Sequence, residues 1–461
     1  MKTLVIAVAL LLAAPLEAAG IGVTDAWRAA MMHDPVYAAA QAKRDAGQAQ
    51  RAQARALWLP TLAAVGSGGR SDLDSRTQGA YFAAPGFGTT GGVDFRTSLN
   101  GGTATRWALV AEQPLFDAAR FADAGAGRKT AAIAEAQFRL ARQELITRTA
   151  RSYFEVLNAR AQLQALQRLH AAAERARAES QARYETGDLA VTDMREAQAG
   201  ADAVGVQELD ARTAATLSEA AFTDLTGLDV AGFEALPATA TDNLPTPESL
   251  DEWTGRALRG SPQLAISQLA REIAAAQVGR FGAFDALRLS LVAQTGRDSL
   301  SGTGDFGASD IVQRQTSIGL QASLPLFTGG MRSAQRHEAR ALEQQAAAEL
   351  DGATLQLRQQ TRSAWLTLTT AAARVQALGR LRASSAGRRD ATRLGAEIGE
   401  RTALELLGAE GDALRAEADY QRAQGDWFLA GLQLKALSGA LDEADLRAID
   451  QRLGMAPAAA Q

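Results

Sequence analysis

The chain has 461 residues, 48 Lys+Arg against 52 Asp+Glu, a net charge of −4, three histidines and no cysteine. That balance lacks the basic excess a nucleic-acid surface needs. The missing cysteines exclude disulfides, thiolate metal sites, a cysteine nucleophile and lipid attachment through an N-terminal cysteine. Apolar residues make up 47% of the chain but aromatics only 5%, a composition suited to thin layers of close-packed helices.

Residues 1–20 read as a secretory signal peptide: Lys2, an apolar run over 4–14, Pro15, then the small residues Ala18, Ala19 and Gly20. A buried helix or membrane anchor is the alternative, but the run is shorter than the roughly 20 apolar residues of a spanning helix. No later segment is long and apolar enough to span as a helix. Any insertion of the remaining chain into a membrane therefore has to use β-strands closed into a barrel.

Beyond the signal, proline and glycine divide the chain. Residues 115–236 and 326–455 hold no proline and are rich in Ala, Gln, Arg, Glu and Leu, which predicts helices. Fourteen of the 42 glycines fall in 66–102 and 296–307, predicting two mobile loops, each ahead of a long helical stretch. The flanks of the second loop alternate with period two. Leu287, Leu289, Leu291 and Ala293 oppose Arg288, Ser290, Val292 and Gln294; Thr316, Ile318, Leu320, Ala322 and Leu324 oppose Gln315, Ser317, Gly319, Gln321 and Ser323. This is a strand pair with one apolar and one polar face. A less regular strand is expected over 103–113, with Trp107, Leu109 and Ala111 on one face, and a weaker one near 57–66. A soluble sandwich is the alternative, but four strands are too few to sheathe two helical stretches of over a hundred residues each.

The pattern is written twice. Gln113-Pro114-Leu115-Phe116 returns as Leu324-Pro325-Leu326-Phe327, and Arg151-Ser152-Tyr153-Phe154 as Arg362-Ser363-Ala364-Trp365, both 211 residues on. Gly187 and Asp193 match Gly399 and Glu405, and Thr226-Gly227 matches Ser438-Gly439, at 212. Ordered matches at near-constant offset indicate duplication. The predicted organisation is a first repeat over 21–237, a linker over 238–247, a second repeat over 248–455 and a tail over 456–461. Each repeat reads helix, strand, Gly-rich loop, strand, long helix, short turn, long helix.

The predicted helix over 118–185 is 68 residues long, about 100 Å at ~1.5 Å per residue. Ile133, Leu140, Thr147, Phe154 and Ala161 recur every seven positions, as do Leu350, Leu357, Ala364, Ala371 and Leu378. Heptad spacing sets a seam against neighbouring helices. A lone pair of alanine-rich helices buries little area, so an oligomer with many helices side by side is expected.

These elements and motifs resemble the TolC family of bacterial outer-membrane efflux and secretion channels over essentially the whole mature chain. The residues that carry the resemblance are 113–116, 324–330, the turns at Gly187 and Gly399, and the tail 437–441. The resemblance implies a mainly α fold with a small β part. A long-helix α-barrel forms a periplasmic tunnel, and four strands per chain join a twelve-stranded outer-membrane β-barrel shared by a homotrimer. It implies an outer-membrane channel of a tripartite efflux or type I secretion system, with a periplasmic adaptor (membrane fusion) protein, an inner-membrane pump and outer-membrane lipid as partners. It also implies an adaptor-docking entrance at the tips Gly187, Asp188, Gly399 and Glu400. Thr192 and Asp193 match positions contacted by an arginine of the other hairpin, here Arg401, so an Arg401–Asp193 link is expected to hold the entrance shut. Glu405 matches a pore-facing acid, which threefold symmetry would make a ring of carboxylates that favours cations and raises one another's pKa. Two positions depart from the family pattern: Ala396 stands where a gating tyrosine is expected, and Gly408 where a second acidic ring is expected.

Two G-x-G-x-x-G matches, 86–91 and 302–307, sit inside the Gly-rich segments rather than between a strand and a helix start, so they are loop tips and not phosphate cradles. Residues 125–130 miss the P-loop spacing. Neither a catalytic, metal or cofactor constellation nor a nucleic-acid surface is legible, so the chain is expected not to be an enzyme and to carry no cofactor. The competing expectation is a periplasmic coiled-coil adaptor or scaffold of an envelope complex, which would share the signal and long helices but would not need amphipathic strand pairs.

Overall fold

The computed structural model describes residues 21–86, 88–230, 233, 236, 237, 239–241, 244, 245, 248–281, 285–304 and 307–455. The signal segment 1–20, linker positions 238, 242, 243, 246 and 247, and the tail 456–461 lie outside the described residues. Helices α1 (Val23–His33) and α2 (Pro35–Ala56) lead into strands β1 (Thr61–Ala84) and β2 (Gly88–Asp117), then α3 (Ala118–Glu185) and α4 (Val191–Thr226). The order then recurs: α5 (Leu250–Gly260), α6 (Pro262–Gly279), β3 (Arg288–Gly304), β4 (Gly307–Ser323), α7 (Met331–Glu397) and α8 (Ala403–Leu437). A terminal helix, α9 (Glu443–Arg452), follows α8.

The chain forms two compact units, and each draws on both halves of the sequence. One takes Met1–Asp45, Ile133–Gln268 and Glu349–Gln461; the other takes Ala46–Ala132 and Leu269–Ala348.

In the first unit the few aromatic residues are concentrated into one core. Trp27, Tyr153, Phe154, Phe222, Leu446 and Leu434 are fully buried. Phe154 stacks on Phe428 with centroids 5.6 Å apart, where Gly425 leaves room for the ring. The second repeat lacks such a centre: Ala364 and Trp365 stand where the first has Tyr153 and Phe154, and the Trp365 indole N–H donates to the Glu248 carbonyl at 2.9 Å. The C-terminal helix α9 completes the core beside α1. Buried Asp450 accepts from the backbone N–H groups of Val23 (2.7 Å) and Thr24 (3.0 Å). It thereby caps α1, because Gly22 at the cap position has no side chain to do so. The α1–α2 junction is set by Asp34, which accepts from Tyr37 N at 2.9 Å and pairs with Arg148, with Pro35 at the first helical position.

The long helices fold back on one another, and ion pairs and a histidine–carboxylate hydrogen bond join them at successive heights. Between α3 and α4, Arg160 meets Glu219 at 2.6 Å and His170 meets Glu208 at 2.6 Å. Between α7 and α8, Arg382 meets Glu417 at 2.6 Å, Arg393 meets Glu410 at 3.0 Å, and Arg388 pairs with Asp412. The heptad positions behave as a seam: Phe154, Leu357 and Ala364 are buried and the other members of both series are half-buried.

The second unit holds an antiparallel four-stranded sheet in the order β1-β2-β3-β4. The strands correct two sequence expectations. The weak strand expected near 57 begins at Thr61, because residues up to Ala56 continue α2. The expected mobile loops are mostly strand: β1 runs to Ala84, β2 starts at Gly88, β3 reaches Gly304 and β4 starts at Gly307, which leaves short tips. The reason is close approach. A Cβ on Gly296 would sit 2.7 Å from the Trp107 carbonyl oxygen, so glycine there lets two strands pair where a larger residue would part them. Gly101, at φ 61°, lies at the register shift between Asn100 and Thr103 and supplies the left-handed residue such a bulge uses.

Candidate functional site

The first candidate region comprises the helix-hairpin tips. At the α3–α4 tip Gly187 has φ 83°, its N–H donates to the Tyr184 carbonyl at 3.0 Å, and Asp188 N–H donates to the Arg183 carbonyl at 2.8 Å. Gly399 repeats this at the α7–α8 tip with φ 80°, and Glu400 N–H donates to the Gly395 carbonyl at 2.8 Å. Both are helix ends closed by a left-handed glycine, which a side chain would strain. Gly187, Asp188, Gly399 and Glu400 are all exposed, as is Ile398 beside them.

The two tips differ at the start of the returning helix. Helix α4 starts from Ala190 without a side-chain cap. Helix α8 starts with a full capping box: Thr402 Oγ1 accepts from Glu405 N at 3.1 Å, and Glu405 Oε2 accepts from Thr402 N at 2.8 Å. The other oxygen of the same carboxylate, Oε1, accepts from Arg401 Nη1 at 2.8 Å. The Thr402 backbone N–H, then the Arg401 guanidinium, hold the Glu405 carboxyl below the usual glutamate range. Within one chain these partners pull the pKa opposite to the mutual raising expected of an acidic ring. The stem of Arg401 lies against Gly395, where a Cβ would come within 2.8 Å of Arg401 Cγ. Thr192 donates to Asp193 Oδ1 at 3.3 Å, and both are exposed. Among the described residues the structure therefore brings Arg401 to Glu405 and Thr192 to Asp193, and does not bring Arg401 to Asp193. Gly408 has nothing within 4 Å of a built Cβ, so an acid there is missing by sequence and not for want of space.

Sequence reasoning missed the Glu405 capping box and the charge ladders. The Thr-x-x-Glu spacing of 402–405 was the available signal for the first. For the second it was opposite charges at mirrored distances from Gly187 and Gly399.

The second candidate region is the sheet. Leu62 pairs with Ala111, Ala111 with Ala293, and Ala293 with Ile318; the next row is Ala64, Leu109, Thr295 and Thr316. Leu289 and Leu291 pair with Ala322 and Leu320 on the same face. The opposite face carries Ser67, Arg106, Gln294, Ser317 and Gln321. A register shift between Pro114 and Phe116 skips Leu115 and sets Phe116 opposite Leu289. Phe116 thus joins the apolar face, and proline, which has no N–H for the ladder, falls where the ladder is interrupted. Leu62, Trp107, Ile318 and Leu320 are between half and three-quarters exposed. One face of a four-stranded sheet thus presents an uncovered apolar band, while its other face is mostly polar along β3 and β4 and mixed along β1 and β2, where Ala63 and Val65 pair with Val110 and Ala108. Among the described residues no helix is long and apolar enough to cross a membrane, and no three His, Asp or Glu residues are grouped to hold a metal ion.

The profile of the outer membrane efflux protein family matches residues 28–228 and 253–440. The chain belongs to that family. It is 29% identical over 436 residues to the alkaline protease secretion protein AprF of Pseudomonas aeruginosa, covering 94% of this chain and 87% of AprF. It is 27% identical over 359 residues to the outer membrane protein TolC of Escherichia coli, covering 76% of this chain and 72% of TolC. The fold matches the solved CusC structure with a TM-score of 0.69 at 18% identity, covering 93% of this chain and 95% of that one. As an outer membrane efflux family member, the chain is an outer-membrane channel for efflux or secretion with a periplasmic extension. Members of this family are transport channels and not enzymes, and they are trimeric.

Proposed function

We propose that three copies of this chain close their sheets into one twelve-stranded barrel, and that their helices line a duct reaching a periplasmic adaptor and an inner-membrane pump. The repeats over 21–237 and 248–455 supply two strands and one helical hairpin each, joined through 238–247. The observation that carries this reading is the apolar row running in register across all four strands, from Leu62 through Ala111 and Ala293 to Ile318. A periplasmic scaffold has no use for it, whereas a barrel wall requires apolar and polar faces to alternate along every strand.

Adaptor contact falls to the exposed tips at Gly187, Asp188, Gly399 and Glu400, where acidic side chains favour a partner with basic groups. Arg401 is the movable element of the entrance. Paired with Glu405 it neutralises the pore acid of its own chain; paired with Asp193 of a neighbouring hairpin it would draw the tips together, with Thr192 beside it. Glu405 released in this way adds its charge to a threefold ring that favours cations.

Secretion of polypeptides is favoured over small-molecule efflux by the extent of likeness. The match to the protease secretion protein covers 94% of this chain, and the match to the outer membrane efflux protein BepC of Brucella suis covers 76%.

Fractionation of cells producing the full-length chain tests this reading. Trimers that resist dissociation until heated, recovered in the outer-membrane fraction, are expected. Recovery as a soluble periplasmic monomer would favour the scaffold.

A further inference from the structure

At the edge of the apolar band nearer the strand tips, the rows change character. Gly66, Trp107, Arg297 and Arg314 are consecutive partners across β1 to β4, and by strand alternation they share the face of Leu62, Leu109, Ala293 and Ile318. The row on the helix side holds Leu109, Thr295 and Thr316, with the two threonine hydroxyls 2.9 Å apart. The row on the tip side holds Thr105, Ser299 and Val312.

Two like charges directly opposite one another on paired strands repel, and both arginines are exposed. Their neighbour Arg106, on the other face, shows how the sheet treats an arginine it neutralises itself: Asp298 lies 3.2 Å from its Nε. Among the described residues no carboxylate lies within ion-pair distance of Arg297 or Arg314. The one acid of β4, Asp310, stands four positions further toward the tip, opposite Ser301.

We propose that Arg297 and Arg314 bind the phosphate of an anionic membrane-lipid headgroup in the leaflet on the tip side, with Trp107 seated at the same interface. This rests on the barrel reading above. Guanidinium forks match phosphate oxygens, tryptophan belongs at the boundary between acyl chains and water, and Thr295, Thr316 and Ser299 offer hydroxyls within a row of the arginines. The acyl chains of such a lipid would run along Leu109, Ala293 and Ile318. A phosphate in this position would relieve the repulsion within the pair, so lipid and barrel wall stabilise one another.

The test uses detergent-purified trimers of the full chain, R297Q/R314Q and R106Q. Each is exposed to phosphatidylglycerol or phosphatidylcholine, and retained lipid is counted by native mass spectrometry. The wild type and R106Q should retain phosphatidylglycerol over phosphatidylcholine by about tenfold, and R297Q/R314Q should lose that preference. Equal preference in all three proteins overturns the proposal. Displacement of the lipid by millimolar inorganic phosphate overturns it too, since the site would then take a free anion. Failure of the wild-type chain to form trimers contradicts the barrel reading itself. Wild-type trimers without lipid preference contradict only the lipid site.

Discussion

Arg401 and Glu405 face each other one helical turn apart at the start of α8, Nη1 to Oε1 at 2.8 Å, and the two groups given separate roles in the entrance occupy one another. Glu405 also closes the capping box with Thr402. Any rearrangement that carries Arg401 to Asp193 therefore leaves the Glu405 carboxyl with its Thr402 capping contacts and without its guanidinium partner.

Removing the arginine should separate these roles. Arg401→Ala is expected to raise single-channel conductance in a planar bilayer, through loss of the entrance contact, and to increase cation selectivity by freeing the Glu405 charge. Glu405→Gln should reduce cation selectivity. Conductance and reversal potential unchanged in Arg401→Ala would remove this residue from the entrance.

The pH dependence has a definite sign. The carboxyl of Glu405 is held below its ordinary value, chiefly by the Thr402 N–H and then by Arg401. Its contribution is therefore present above the unfolded value near ~4.3 and lost as pH falls through the lower folded value. Conductance titrated from neutral pH downward should stay level until the solution is more acidic than that, then change. In Glu405→Gln this acid step should be absent.

Asp450 carries the opposite sign. Burial raises its carboxyl above the usual aspartate range, against the hydrogen bonds from Val23 and Thr24. The stability linked to its proton is complete below the unfolded value near ~3.9 and lost as pH rises through the raised folded value. Asp450→Asn removes that cost once the carboxyl is ionised, so the stability of the wild type relative to Asp450→Asn should fall as pH rises above the ordinary aspartate value. Asp450→Ala removes the cap of α1 altogether and should cost about 1–2 kcal/mol. Thermal unfolding of the three proteins from acidic to neutral pH checks both statements.

The sheet makes a face-specific prediction. Ile318 lies on the apolar face and Ser317 on the polar one. Ile318→Lys should cost about 2–4 kcal/mol at the middle of a bilayer and deplete heat-modifiable trimers from the outer-membrane fraction. Ser317→Lys should leave them in place. Equal effects of the two substitutions would contradict the assignment of faces.

The long helices are legible in the sequence because the tracts free of proline are long, and because Gly187 and Gly399 mark the turns at matching places in the two repeats. The strand faces are legible wherever Leu, Ile and Ala alternate with Ser and Gln, as over 287–294 and 315–324. The outer halves of the strands are not, because glycine there serves close approach between backbones, as at Gly296, and composition alone reads it as a loop. At the site, the tip residues and Glu405 are identifiable by position, but the occupant of Arg401 is not. A local capping box places Glu405 within its reach, and only geometry shows which carboxylate wins. The capping of α1 by Asp450 joins residues more than 420 positions apart, beyond any local pattern.

The central claim is that three copies of this chain enclose one water-filled passage. Purified protein added to a planar lipid bilayer tests it most directly. The account predicts uniform, stepwise single-channel currents from a species whose mass in detergent is that of three chains. A monodisperse monomer that stays soluble without detergent and passes no current would contradict it.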